Sequence, residues 1–189
     1  MRTILLHEDR LFPSDLYTRE IARELYNGIR DLPIVSPHGH TEPRWFAEDK
    51  NFSNATELFI TPDHYVFRML YSQGISLEQL GISNISGRVT QKDPLKVWQI
   101  FAQHYYLFAG TPSRMWLDTV FKTVFGLTDM LCTENAKMYY EHITDLLQTP
   151  DFKPRALMER FNIELIALFR GRDPWLPPNR KTVCKELSN

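Results

Sequence analysis

The chain is 189 residues long, 43% hydrophobic, 13% aromatic and 24% charged, a globular composition with enough apolar residues for a substantial core. Its formal net charge of -1 gives no electrostatic basis for binding nucleic acid or an anionic membrane. No apolar run approaches the roughly 20 residues that span a bilayer, and Glu8-Asp9 turn the N-terminus acidic too early for a secretory leader. Cys132 and Cys184 are widely separated and form no Cys-x-x-Cys pair, so a reducing cytoplasm is the expected setting.

Most of the sequence reads as helix. Ser14 or Asp15 can cap a helix through about Asn27, with Ile21, Leu25 and Ile29 as its apolar stripe and Gly28 near its end. A short strand at Pro33–Pro37 follows, and then His38-Gly39-His40. Asn54 caps a short helix holding Leu58 and Phe59. Thr61-Pro62 starts another that Gly74 stops, Asp93-Pro94 launches Leu95 to Phe108, and Thr111-Pro112 launches a helix ended by Gly126. Thr133 begins a helix to about Gln148, and Lys153-Pro154 a short one ending near Phe161-Asn162. Ile163–Phe169 is nearly continuous in hydrophobicity, the pattern of a parallel strand buried on both faces. A parallel crossover needs only about 10–12 residues, so the long helical excursion between the two strands reads as an inserted subdomain. From Arg170 onward prolines and basic residues crowd without periodicity, and little regular structure is expected there.

Two imidazoles two residues apart at a strand exit point the same way, because the orientation of side chains repeats every second residue. His38 and His40 can therefore reach one divalent ion, and neutral imidazole suits zinc; the plainer alternative is a pair of loop histidines with no shared task. Glu42, Glu48 and Asp49 are residues that more often cap or face solvent than ligate, and Arg44 can clamp a carboxylate without specifying one. In Asp63-His64-Tyr65-Val66-Phe67-Arg68, Tyr65 and Arg68 share a helix face, where Arg68 can favour phenolate character in Tyr65; spacing alone favours the plainer reading, a helix with Phe67 and Leu70 in the core and an arginine at its edge. Trp98, Phe101, Tyr105 and Phe108 read as a core face, and His104 and His142 as packed or satisfied histidines. No Gly-rich phosphate loop and no Gly-x-Ser-x-Gly is present.

These constellations together resemble the uronate (glucuronate) isomerase family of the amidohydrolase superfamily. The resemblance is carried by the Leu5–Phe12 opening, by Ala22-Arg23-Glu24-Leu25-Tyr26, by Leu32–His40, by Trp45-Phe46-Ala47-Glu48-Asp49 and by Thr61–Leu70, and extends over about Leu5 to Ala167. It implies an α/β fold, the N-terminal part of a metal-dependent (β/α)8 TIM barrel with a large helical insertion after its first strand. It implies aldose–ketose isomerisation of D-glucuronate to D-fructuronate and of D-galacturonate to D-tagaturonate. His38 and His40 then match the family's metal ligands, with zinc or a similar divalent ion as the implied occupant. Tyr65 matches its active-site tyrosine, for substrate contact or proton transfer, with Arg68 as a supporting substrate-binding residue. The implied partner is a small uronate sugar, with neither nucleic acid nor membrane, and a homo-oligomer is allowed.

The expected organisation is residues 1–41 as N-terminal helix and first barrel strand, 42–162 as the inserted helical subdomain, 163–169 as the second strand and 170–189 as a divergent tail. The family's further metal ligand, an aspartate of the last barrel strand, has no counterpart here, and Leu168-Phe169-Arg170-Gly171-Arg172 replaces the family's Thr-Thr-acidic turn. A frameshift or truncated gene model is the expected explanation of the altered texture and the early stop, and the 189 residues by themselves are expected to be inactive. Two rivals are a metal-dependent hydrolase of the same superfamily and a non-catalytic helical module presenting Trp98 and Trp116 as a binding surface.

Overall fold

A computed structural model describes residues 2–82, 91–169 and 181–183. In sequence order run α1 (Leu16–Ile29), β1 (Ile34–Gly39), α2 (Pro43–Glu48), α3 (Ala55–Phe59), α4 (His64–Ser72) and α5 (Pro94–Gln103). They are followed by α6 (Pro112–Thr123), α7 (Ala136–Leu147), α8 (Pro154–Arg160), β2 (Ile163–Phe169) and β3 (Lys181–Val183). Among the described residues no helix is long and apolar enough to cross a membrane. The polypeptide forms two compact units: a strand unit of residues 7–51 and 150–189, and a helical unit of residues 1–6 and 52–149.

In the strand unit, β1 and β2 pair in parallel and β3 adds antiparallel to β2, in the order β1-β2-β3. The three-residue β3 corrects the expectation of an irregular tail at 181–183; that expectation for 170–180 and 184–189 lies outside the described residues. α1 is capped by Asp15, whose Oδ1 accepts from the Thr18 backbone N–H at 2.8 Å, and it runs past Gly28 to Ile29. Arg23 on α1 donates from Nε to Asp9 at 2.7 Å, and Phe12 meets Tyr26 edge-on, so residues 9–12 are tied to the helix. The guanidinium of Arg23 holds the Asp9 carboxyl below its ordinary range.

The helices flanking the excursion cap one another. Asp49, in the left-handed conformation that closes α2, accepts the Arg155 backbone N–H at the start of α8 (3.0 Å). Arg155 in turn donates from Nε to the Phe46 carbonyl (2.8 Å) and from Nη2 to that of Ala47 (3.3 Å). Orphan donors at one helix start and orphan acceptors at another helix end are thus satisfied together. These contacts keep α2 and α8 in the strand unit, and the inserted part of the helical unit runs from Phe52 to Thr149.

Burial of β2 rises along the strand and is complete only toward its end. Ala167 and Leu168 are buried, whereas Ile163, Leu165 and Ile166 are half-buried and Glu164 is exposed. α1 buries no residue, and Ile34 and Val35 of β1 remain 49% and 59% exposed. Burial on both faces, as a strand of a parallel sheet requires, is therefore reached only at Ala167 and Leu168.

The helical unit has an aromatic core. Trp98, Phe101, Tyr105 and Phe108 are all buried, as the helical spacing predicts; Trp98 and Tyr105 meet Phe121, which in turn meets Phe59 and Tyr139, in edge-on and tilted pairs. Trp98 also donates from Nε1 to the Ala136 carbonyl, so it is not available as a binding surface. α5 stops at Gln103 instead of reaching Phe108: His104 turns its ring onto the Ile100 carbonyl (2.8 Å) and residues 105–108 tighten into a 3₁₀ turn. That turn eclipses side chains three apart, which keeps Tyr105 and Phe108 on the core side. α7 begins at Ala136, after a Thr133–Asn135 turn in which Asn135 bonds the Met130 carbonyl and the Cys132 N–H. His142 is satisfied by the Phe125 carbonyl. Residues 2–4 also belong here, because Thr3 bridges Asp129 antiparallel and the 1%-exposed Ile4 donates to Thr128.

A closed polar cluster borders this core. Arg114 lies over the Tyr105 ring, donates to the Tyr105 carbonyl, and forms a 2.7 Å ion pair with Asp118, which accepts from the Tyr105 hydroxyl. Burial, and then the Asp118 charge, push the Tyr105 phenol far above its usual range. Removing one member of a largely buried pair strands the others. Asp118→Ala should therefore lower stability by about 3 kcal/mol in urea denaturation, while Trp116→Ala on the exposed face should lower it much less.

Candidate functional site

β1 already slips in register between Ile34 and Val35, which pair with Ile163 and Leu165, and further along Pro37 cannot donate to a ladder. The register shows the consequence. Ser36 pairs with Ile166 and Gly39 with Leu168, so three steps along β1 oppose two along β2. The extra residue is a bulge of the kind that re-aims side chains, and Ser36 Oγ braces it by donating to the His38 carbonyl at 3.1 Å. The His38 ring, within the bulge, and the His40 ring, just past it, lie on the same side, centroids 4.5 Å apart, with their Nε2 atoms 2.7 Å from each other. The expectation that both imidazoles face one point holds. The strand itself reaches through His38 to Gly39, further than Pro37.

A tetrahedral zinc with Zn–N bonds near 2.0–2.1 Å holds two nitrogens about 3.3 Å apart. Side-chain rotations that open the pair by about 0.6 Å would meet that requirement, so the donor set and its convergence fit a divalent ion. Among the described residues no group of three or more His, Cys, Asp or Glu side chains stands ready to hold a metal. The nearby carboxylates have other work. Glu42 caps α2, Asp49 caps α8, and Glu48 pairs with Lys50 at 2.8 Å, whose ammonium lowers the Glu48 carboxyl below its ordinary range.

Tyr65 and Arg68 lie in the helical unit, on α4. The start of this helix differs from the Thr61-Pro62 signal: Thr61 still bonds back to Thr56 at the end of α3, and Asp63 is the cap. Its Oδ1 accepts from the Tyr65 N–H (2.8 Å) and the Val66 N–H (3.3 Å). Val66 and Leu70 point into the core, and Phe67 is half-buried. Tyr65 is 61% exposed, its ring 4.2 Å from that of His64, and Arg68 is exposed one turn along. Asp63 and Ser36 are the supporting residues that residue spacing did not reveal. The signals were a capping type directly before the periodic run and a proline inside a strand.

The family model described as glucuronate isomerase matches residues 9–174, and the chain belongs to that family. It is 58% identical over 164 residues to a uronate isomerase of Xanthomonas campestris pv. campestris (strain B100), covering 87% of this chain and 35% of that protein. A uronate isomerase of Phenylobacterium zucineum (strain HLK1) is 54% identical over 166 residues, with 88% and 34% covered. The crystal structure of glucuronate isomerase from Caulobacter crescentus superposes with a TM-score of 0.84 at 54% identity, over 88% of this chain and 35% of that one. The Thermotoga maritima uronate isomerase gives 0.72 at 25% identity, over 86% and 33%. The chain thus spans about a third of the length of the relatives it matches.

Asp63 sets the first turn of α4. Asp63→Ala should speed hydrogen exchange at the Tyr65 and Val66 amides by a factor matching about 1 kcal/mol of lost capping, and Asp63→Asn should retain most of the protection.

Proposed function

We propose that this chain supplies the first metal ligands and a substrate-facing helix of a uronate isomerase, which interconverts D-glucuronate with D-fructuronate and D-galacturonate with D-tagaturonate. The observation that supports it most is the meeting of His38 and His40 Nε2 at 2.7 Å, in a chain that belongs to the glucuronate isomerase family. The proposed frame is a (β/α)8 barrel of the amidohydrolase type. β1 and β2 are its first two strands, the helical unit is its insertion, and the remaining strands lie in the rest of the family's length. The proposed location is the cytoplasm.

Aldose–ketose isomerisation moves a proton between C2 and C1 through an enediol. It needs an acid–base group near both carbons and positive charge near the developing oxyanion. A divalent ion, zinc by donor preference, supplies that charge when bound. His38 and His40 would hold it through their imidazole nitrogens. Tyr65, exposed on a capped helix start, is the proposed group for substrate contact or proton transfer at its phenol oxygen. Arg68, one turn on, is the proposed partner of the uronate's negative charge, where a guanidinium can bond a carboxylate bidentately.

Two imidazoles fill two of the four positions of a usual zinc site, so turnover is proposed for a protein of family length and not for these 189 residues by themselves. That longer protein should convert D-glucuronate to D-fructuronate. A chelator should abolish the activity and zinc restore it. His38→Ala should lower turnover about a hundredfold or more, beyond the loss that outer-shell partners cause, and zinc should not rescue it. Turnover by the 189 residues alone, or full turnover in His38→Ala, would contradict the proposal.

A further inference from the structure

We infer that Gly39 is a positioning residue of the imidazole pair, acting through the close seating of β1 on Leu168 and Ile166; the inference rests on the metal reading proposed above. Gly39 lies opposite Leu168 in the parallel register. A Cβ at this position would stand 3.2 Å from Leu168 Cδ2, 3.3 Å from Ile166 Cγ2 and 3.7 Å from the Ala167 carbonyl oxygen. Carbon atoms in comfortable contact are about 3.5–4.0 Å apart, so the first two contacts are too tight. Gly28 offers the contrast: a Cβ there meets nothing within 4 Å, and its lack of a side chain answers no packing demand.

The direction of relief decides what a side chain at 39 would do. Leu168 is only 1% exposed, so its methyl is hemmed in and cannot swing toward solvent. Among the described residues β1 is an edge strand of the sheet, with Ile34 and Val35 open to solvent. The yielding partner is therefore the β1 backbone, which would move off β2. His38 and His40 sit on either side of Gly39, so its pairing with Leu168, the last β1–β2 register point, falls between the two rings. A shift there is passed to both imidazoles. Ligand constellations need their groups held to about 0.5 Å, and the displacement required to clear two overlaps is of that order. Gly39 thus matters through the bulk it withholds from β2, not through room left between the two rings.

The test is calorimetric titration of the 189-residue chain with zinc chloride, alongside backbone hydrogen exchange of residues 34–40 without metal. The wild-type protein should bind zinc in a manner that His38→Ala removes. Gly39→Ala should weaken binding about tenfold or more. Leu168→Val, which deletes the nearest clashing methyl, should bind like wild type and should restore most of the affinity when combined with Gly39→Ala. Exchange should quicken in Gly39→Ala and slow again in the double variant. Wild-type affinity in Gly39→Ala, or no rescue by Leu168→Val, would overturn the inference. If the wild-type protein shows no zinc binding that His38→Ala removes, the metal reading fails instead. The exchange data then judge the seating of Gly39 alone, and unchanged exchange in Gly39→Ala refutes that too.

Discussion

Everything proposed for this protein depends on the parallel pairing of β1 with β2. The two strands are separated by the whole helical unit, yet Ile34 lies against Ile163 and Gly39 against Leu168. That ladder turns a local His-x-His sequence into a defined pair of donors. It holds the backbone on which Pro37 forces a bulge, and the bulge in turn aims the imidazoles at each other. Without β2 the segment 36–40 would be a proline-containing loop with no fixed ring geometry.

Joining such distant strands costs conformational entropy, but that cost grows only logarithmically with the length of the intervening segment. What a long insertion needs is a short, firm base. Asp49 and Arg155 provide it in the strand unit by capping each other's helices, and in the helical unit Gln148 donates from its side-chain amide to the Phe52 carbonyl at 2.9 Å. Between those points the helical unit maintains its own aromatic core and its own closed polar cluster around Asp118. α4, with Tyr65 and Arg68, belongs to this helical unit and packs Val66 and Leu70 into its core.

Much of this was legible in the sequence where one local signal dominates. Asn54, Asp93 and Thr111 each cap the helix that their position announces, and Gly110 and Gly126 adopt the positive φ that suits a helix stop. The aromatic spacing from Trp98 to Phe108 located the core correctly. The failures occur where two signals compete. Thr61-Pro62 has the form of a helix start, but Thr61 is spent on finishing α3 and Asp63 takes the cap. The apolar run 98–108 gives no hint that the His104 ring would capture the Ile100 carbonyl and break α5. At the candidate site the pair His38 and His40 was legible because a two-residue repeat is a property of strands. The brace from Ser36 and the packing beneath Gly39 were not, since both depend on residues of β2 or on a bulge that spacing does not encode. The exposure of Ile34, Val35 and the α1 stripe was likewise hidden, because hydrophobicity states what a segment prefers to cover and not whether a covering layer is present.

The most direct measurement of the central claim is nuclear magnetic resonance of the imidazole nitrogens during zinc addition to the 189-residue protein. If His38 and His40 form one centre, their Nε2 signals shift together and saturate at a single equivalent of zinc, while those of His104 and His142 stay in place. Independent shifts of the two rings, or movement of His104 or His142 in their stead, would contradict it.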